Sequence, residues 1–123
     1  MIRAMHQDNR IHPRLLVRLR SEYRVGGGAA WLHGTVLDMS AGGATLITAE
    51  RIPPKAAVRL RVDLPGDGGS TLEVETLVLR CDPFPGAGGN MEYRQALHFL
   101  DLRGERFERV RRYIFERREG QLA

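Results

Sequence analysis

One cysteine, one tryptophan and one lysine stand among the 123 residues, and no apolar run comes near the roughly 20 residues that a membrane-spanning helix needs. The lone Cys81 excludes an internal disulfide, and four scattered histidines offer none of the spacings that hold zinc. Residues Met1 to Arg10 are polar and lack the apolar stretch of a secretory leader. These absences predict a cytoplasmic protein with no structural metal and no cofactor. Aromatic residues are only 7% of the chain and gather toward its tail, so the stacking platform of a single-stranded nucleic-acid binder is not expected.

Catalytic constellations are missing as well. The carboxylates are dispersed, no glycine-rich phosphate loop carries Lys with Ser or Thr, and no Ser/His or Cys/His pairing is suggested. Cys81 follows an alternating stretch with no base near it in sequence, which leaves it without a nucleophile's setting. The chain reads as a binding module, not an enzyme.

What is abundant is arginine, which supplies 18 of the 19 basic residues. The net charge is +4, and residues 1–24 alone carry six arginines against Asp8 and Glu22, so the remainder is formally neutral. A positive excess at one end points to an anionic partner met there. Arginine suits planar, bidentate recognition of phosphate or a base edge.

The chain is long enough for one domain, and its 42% hydrophobic content is enough for one core. A polar arm, 1–14, precedes a body over 15–123. Leu15, Val17, Leu19, Ser21 and Tyr23 alternate with Arg18, Arg20 and Glu22, the pattern of a half-buried strand. Further strands are predicted over Trp31–Leu37, Ala44–Thr48, Val58–Leu64, Leu72–Cys81 and Met91–Leu100. The Gly/Pro-rich stretch Asp82–Asn90 predicts a mobile loop. From Leu102 to about Glu119 the period changes: Phe107, Val110 and Ile114 recur at helical spacing, an amphipathic helix that would cap a sandwich or barrel. Trp31 reads as a packing residue and His98 as structural or exposed.

Two short motifs carry chemistry. Arg10-Ile11-His12-Pro13-Arg14 is an R-x-x-x-R in which Pro13 keeps the segment out of a regular helix, so two guanidinium groups can close on a ligand from one side. Asp38-Met39-Ser40-Ala41-Gly42-Gly43 is a D-x-S-x-x-G turn between strands. A carboxylate there can accept both donors of guanine's Watson–Crick edge, a hydroxyl and turn amides can bind phosphate oxygens, and glycine permits close approach.

R-x-x-x-R before the first strand and D-x-S-x-x-G after the second, followed by Ala96-Leu97-His98-Phe99-Leu100-Asp101 and a helix containing Arg112-Tyr113-Ile114, resemble the PilZ domain. The resemblance implies a mainly β fold, a six-stranded antiparallel barrel with a C-terminal helix, that binds the bacterial second messenger cyclic di-GMP. It carries the ligand-holding roles onto Arg10, Arg14, Asp38, Ser40 and Gly43, with Asn9, His12 and Gly42 as further contacts. Two positions depart from the family's pattern: Asn9 replaces an arginine often found before R-x-x-x-R, which puts binding of the ligand as an intercalated dimer in doubt, and Ala96 stands where many members have glycine. The signal would pass by conformational change to a downstream protein. The alternatives are a PilZ-like adaptor without ligand binding and a small basic barrel on single-stranded nucleic acid.

Overall fold

The computed structural model describes residues 14–28, 30–65 and 71–122, with side chains described as far as Arg118. Asn9, Arg10 and His12 lie outside the described residues, and of the expected 1–14 arm only Arg14 is described.

Six strands form: β1 (Leu15–Val25), β2 (Leu32–Met39), β3 (Gly43–Thr48), β4 (Ala57–Asp63), β5 (Thr71–Pro85) and β6 (Met91–Phe99). All pairs are antiparallel, and they close into one barrel in the order β1-β2-β3-β6-β5-β4, with β4 returning to β1. A single helix, α1 (Gly104–Leu122), follows. The six-stranded barrel is the one the resemblance implies, and the terminal helix is the one expected from the sequence pattern.

Alternation puts one apolar row of each strand inside. Leu15, Leu19 and Tyr23 of β1 meet Val58, Leu60 and Val62 of β4, Leu72, Val74 and Val78 of β5, and Leu97 and Phe99 of β6. Val110, Tyr113 and Ile114 of α1 are buried in the same cluster, with Phe107 packed at its edge. Each such aliphatic side chain withdrawn from water contributes on the order of 1.5–3 kcal/mol. This packing, rather than helix propensity, keeps α1 on the barrel.

Two elements differ from the sequence expectation. The stretch Asp82–Asn90 is not one loop: β5 runs on to Pro85, paired with β6 through Asp82↔Arg94, Pro83↔Tyr93, Phe84↔Glu92 and Pro85↔Met91. Two prolines are tolerated because β4 pairs only with Thr71–Leu77, so this part of β5 has a neighbour on one side only. Only Gly86–Asn90 turns the chain, through a short 3-10 turn at Ala87–Gly89. Secondly, Asp38 belongs to the end of β2, and the turn is confined to Ser40–Gly42.

That second difference comes from β-bulges. Val36 pairs with Leu46 but Asp38 with Thr45, so β2 carries one extra residue at Leu37. Leu16 pairs with Asp38 but Leu19 with Val36, which places another extra residue in β1. In β5, Val78 pairs with Leu97 and Arg80 with Ala96, leaving Leu79 as the extra residue. A bulge shifts the inward/outward parity of the residues beyond it. Without one, Asp38 and Arg80 would join Val36 and Val78 in the core. With it, Met39 turns inward and both charged side chains face out.

Gly43 opens β3 where its backbone runs close against β6. A Cβ built there would sit 2.2 Å from the carbonyl oxygen of Leu97, an atom that moves only with β6 itself. Gly43→Ala is therefore expected to lower the unfolding free energy by about 1–3 kcal/mol, as overpacking does, and denaturant titration would show a lowered midpoint with unchanged slope.

Tyr23 is buried inside the barrel and its hydroxyl donates to Glu50 Oε2 at 3.3 Å. Burial, and then the neighbouring Glu50 carboxylate, push the phenol up to about 12 from its ordinary 10.0. Because the folded-state value lies above the unfolded one, this stability is complete below pH 10.0 and drains away as pH rises through about 12. The loss amounts to roughly 2–3 kcal/mol at about 1.4 kcal/mol per pH unit. A pH series of denaturant melts should show the fall, and Tyr23→Phe should flatten it.

Candidate ligand-binding site

The three bulges lie on one side of the barrel and surround a cavity of about 250 Å³. Leu16 of β1, Leu37 and Asp38 of β2, Thr45 of β3, Arg80 and Asp82 of β5, and Ala96 and Arg94 of β6 line it. Ala96 forms its floor, opposite Thr45 on one flank and Arg80 on the other. A second cavity, of about 390 Å³, adjoins the first and shares Leu37 and Arg94 with it. Together the two fall within the size range of small-molecule sites.

Arg14 and Asp38, 24 positions apart in sequence, meet here. Arg14 Nη1 donates to Asp38 Oδ1 in a half-buried ion pair. Pairing of Leu15 with Met39 and Leu16 with Asp38 brings the start of β1 to the end of β2, so the arm's last residue arrives beside the carboxylate. Arg14 is also held from behind, because Arg118 Nη1 of α1 donates to its backbone carbonyl. A second bond of the same kind runs from Arg117 Nη2 to the Pro65 carbonyl, at 2.6 Å.

Ser40 and Gly43 occupy a different position from Asp38. Ser40 is buried, and its Oγ accepts from the amides of Gly42 at 3.1 Å and Gly43 at 3.2 Å. Its own amide donates to the Gly43 carbonyl at 2.8 Å, while the Gly42 carbonyl accepts from Phe99 N at 2.9 Å. The serine thus spends its hydroxyl within the turn and, with Gly42 and Gly43, holds the turn against β6. What it sets is where the end of β2 stops, and so where Asp38 stands.

Six lining residues carry no motif and were not singled out from the sequence: Leu16, Leu37, Thr45, Arg80, Asp82 and Arg94. Only strand register gathers them. Arg80 is exposed and bonded to Asp82 Oδ2 at 2.7 Å. Arg94 lies over the Phe84 ring, 4.8 Å from its centroid.

Other residues weighed in the sequence fall elsewhere. Trp31, just before β2 and at its far end from Asp38, is clasped by Arg61 at 3.8 Å and Arg24 at 4.8 Å from its ring centroid, a packing role. Arg24 is half-buried in that clasp. His98 is exposed and Cys81 is a half-buried free thiol. Among the described residues there is no cluster of His, Cys, Asp or Glu that could hold a metal ion, and no helix is long and apolar enough to cross a membrane.

No curated protein matches this sequence. Among solved structures, the inhibitor of motility of Bacillus subtilis (MotI/DgrA) superposes with a TM-score of 0.77 at 17% identity, covering 93% of this chain and 53% of that one. This chain thus spans about half the length of that protein. The PilZ domain of YcgR from Escherichia coli, solved with c-di-GMP, gives 0.73 at 14% identity over 94% of this chain and 96% of that one. The K. pneumonia MrkH–c-di-GMP complex gives 0.66 at 14% identity over 92% of this chain and 54% of that one. At these identities the likeness speaks for the fold. The sequence itself matches the PilZ domain over residues 8–116, a span that takes in R-x-x-x-R, D-x-S-x-x-G and α1 as far as Glu116, and the chain belongs to that family.

Proposed function

We propose that this chain is a cyclic di-GMP receptor whose ligand seats a guanine against Asp38, displaces Arg14 from it, and signals through α1. The observation that carries the reading is the Arg14–Asp38 contact, which joins the two motifs at one cavity. Solved structures of the same fold that hold c-di-GMP, the YcgR domain and MrkH, support it.

The chemistry comes from the groups themselves. Guanine's N1–H and N2–H₂ form a planar pair of donors on an amidine-like carbon, the same donor edge that a guanidinium presents. Arg14 therefore stands at Asp38 as an internal stand-in for guanine. When the base arrives, Asp38 exchanges one donor edge for another and its desolvation is already met. Arg14 is released to a phosphate oxygen or to guanine O6 and N7, its preferred bidentate partners. Arg10 would close from the same arm, with Asn9 and His12 beside it. Ser40, Gly42 and Gly43 would serve by holding the turn.

Loss of Arg14's bidentate contact costs about 1–3 kcal/mol, offset by up to about 1 kcal/mol because no ion pair must then be broken. Calorimetric titration is expected to show c-di-GMP binding to the parent and a net weakening in Arg14→Ala, with unchanged circular dichroism. Asp38→Ala should in addition lose preference for cyclic di-GMP over cyclic di-AMP. Parent-like binding by both variants would remove this assignment, and absence of binding by the parent would favour an adaptor working through protein contacts alone.

The signal would travel through the backbone of Arg14, which Arg118 holds. Turning Arg14 toward the ligand shifts the carbonyl that anchors the last turns of α1, whose outer face carries the exposed Phe115 for a downstream partner to read. A single such hydrogen bond is worth about 0.5–1.5 kcal/mol. Because coupling is reciprocal, Arg118→Ala is expected to change c-di-GMP affinity by about two- to tenfold. It should also abolish the ligand-induced change in amide exchange at the end of α1. Identical exchange with and without ligand in the parent would exclude this route.

A further inference from the structure

We infer that Arg94, stacked on Phe84, is the ledge on which the second base of a cyclic dinucleotide lies. This rests on the receptor reading and assigns the far half of the same ligand.

Arg94 is where the two cavities meet: it lines the one containing Asp38 and the larger one beyond it. The larger cavity has apolar lining from Leu37, Ile47 and Phe84, polar lining from Thr35 and Thr48, and charges at Arg18, Arg94 and Glu92. An apolar patch beside two guanidinium groups suits a flat heterocycle joined to a phosphodiester.

Local pairing leaves Arg94 free for such a role. Its cross-strand neighbour Asp82 is bonded to Arg80 at 2.7 Å. Glu92, two residues before it, packs against Gly86, where an added Cβ would lie 2.4 Å from the glutamate's carboxyl carbon. Phe84, paired with Glu92 and so diagonal to Arg94, takes one face of the guanidinium at 4.8 Å. A guanidinium stacked on one face keeps its other face and its in-plane N–H donors available. Among the described residues, those donors make no hydrogen bond or ion pair. The continuation of β5 to Pro85 is what brings Phe84 under Arg94, so the extended hairpin has a use beyond closing the barrel.

A base on the open face would complete a three-layer stack of Phe84, Arg94 and purine. Asp38 would hold the first guanine and the phosphates would span the gap between, within reach of Arg14. Both Arg94 and Phe84 lie on the outer surface, so replacing them leaves the core intact.

The test is c-di-GMP titration of the full chain as parent, Arg14→Ala, Arg94→Ala, Arg94→Lys and Phe84→Leu, with thermal melts confirming the fold. A stacked base carries about a five- to hundredfold share of affinity. Arg94→Ala should show a loss in that range, Phe84→Leu a smaller one, and Arg94→Lys should fail to restore the parent value because its charge is not planar. Parent-like binding by Arg94→Ala alongside weakened Arg14→Ala overturns this inference and spares the receptor reading. Full rescue by lysine overturns the stacked geometry. Absence of c-di-GMP binding by the parent overturns both readings.

Discussion

Between Val36 and Met39 the barrel wall needs one more residue in β2 than in the facing part of β3, and one more again in β1 between Leu15 and Leu19. A closed barrel has no free edge at which such a mismatch could escape, so each extra residue must be absorbed as a bulge. The site depends on this. The bulge at Leu37 lets β2 bury both Val36 and Met39 while Asp38, between them, keeps its carboxylate in the cavity. The bulge at Leu79 does the same for Arg80 after the buried Val78. An ideal alternation would have put a carboxylate and a guanidinium into an apolar interior, where neither has a partner, at a cost of several kcal/mol apiece. The irregularity that the barrel tolerates at this rim is thus what makes the rim chemically useful.

The same rim is where α1 returns. Val110, Tyr113 and Ile114 fix the helix on the barrel, and that packing sets where Arg117 and Arg118 reach Pro65 and Arg14. Arg14 consequently has two attachments of different kinds. Its side chain belongs to the site and its carbonyl belongs to the helix. On the proposed reading, turning Arg14 toward a ligand would bear on the carbonyl that Arg118 holds, and the coupling would need no long pathway, because one residue is common to both ends.

The strands with strict alternation were legible because each has one wet and one dry face. Val58, Leu60 and Val62 against Arg59 and Arg61 could be read directly, and α1 was legible from Phe107, Val110 and Ile114. The turn Ser40–Gly42 was legible from its glycines. What escaped was whatever depends on pairing. Alternation is defined within one strand, whereas a bulge is defined between two, so Asp38 was read as a turn residue and nothing marked out Arg80 and Arg94. The strand through Asp82–Pro85 was hidden by its composition. Pro83 and Pro85 signal a loop when read locally, and become acceptable only once β4 is known to stop short of them. For the site, Arg14 and Asp38 were legible as members of spaced motifs. The walls contributed by β3, β5 and β6 have no spacing to read, since they come from three separate strands.

Charge is divided across the barrel in a way that its net value conceals. On the β1–β4–β5 side, Arg59 donates to Glu73 at 2.6 Å and Glu75 at 2.8 Å, and Arg61 reaches Glu73 at 3.3 Å and Glu22 at 3.4 Å. The hydrogen bond from Arg59, and then that from Arg61, hold the Glu73 carboxyl below its ordinary range. These pairs are half-exposed and add little stability, but they cancel the field of that face. Near the cavities the pairing is different: Arg18 and Arg94 have no carboxylate partner among the described residues, and Arg14 has one only by occupying Asp38. An anion approaching the barrel therefore meets paired arginines around Glu73 on one side and, on the other, the unpaired Arg18 and Arg94 beside the cavity carboxylates Asp38, Asp82 and Glu92. The formal neutrality of the chain beyond residue 24 balances α1, with six arginines against four glutamates, against a barrel portion that is two charges negative.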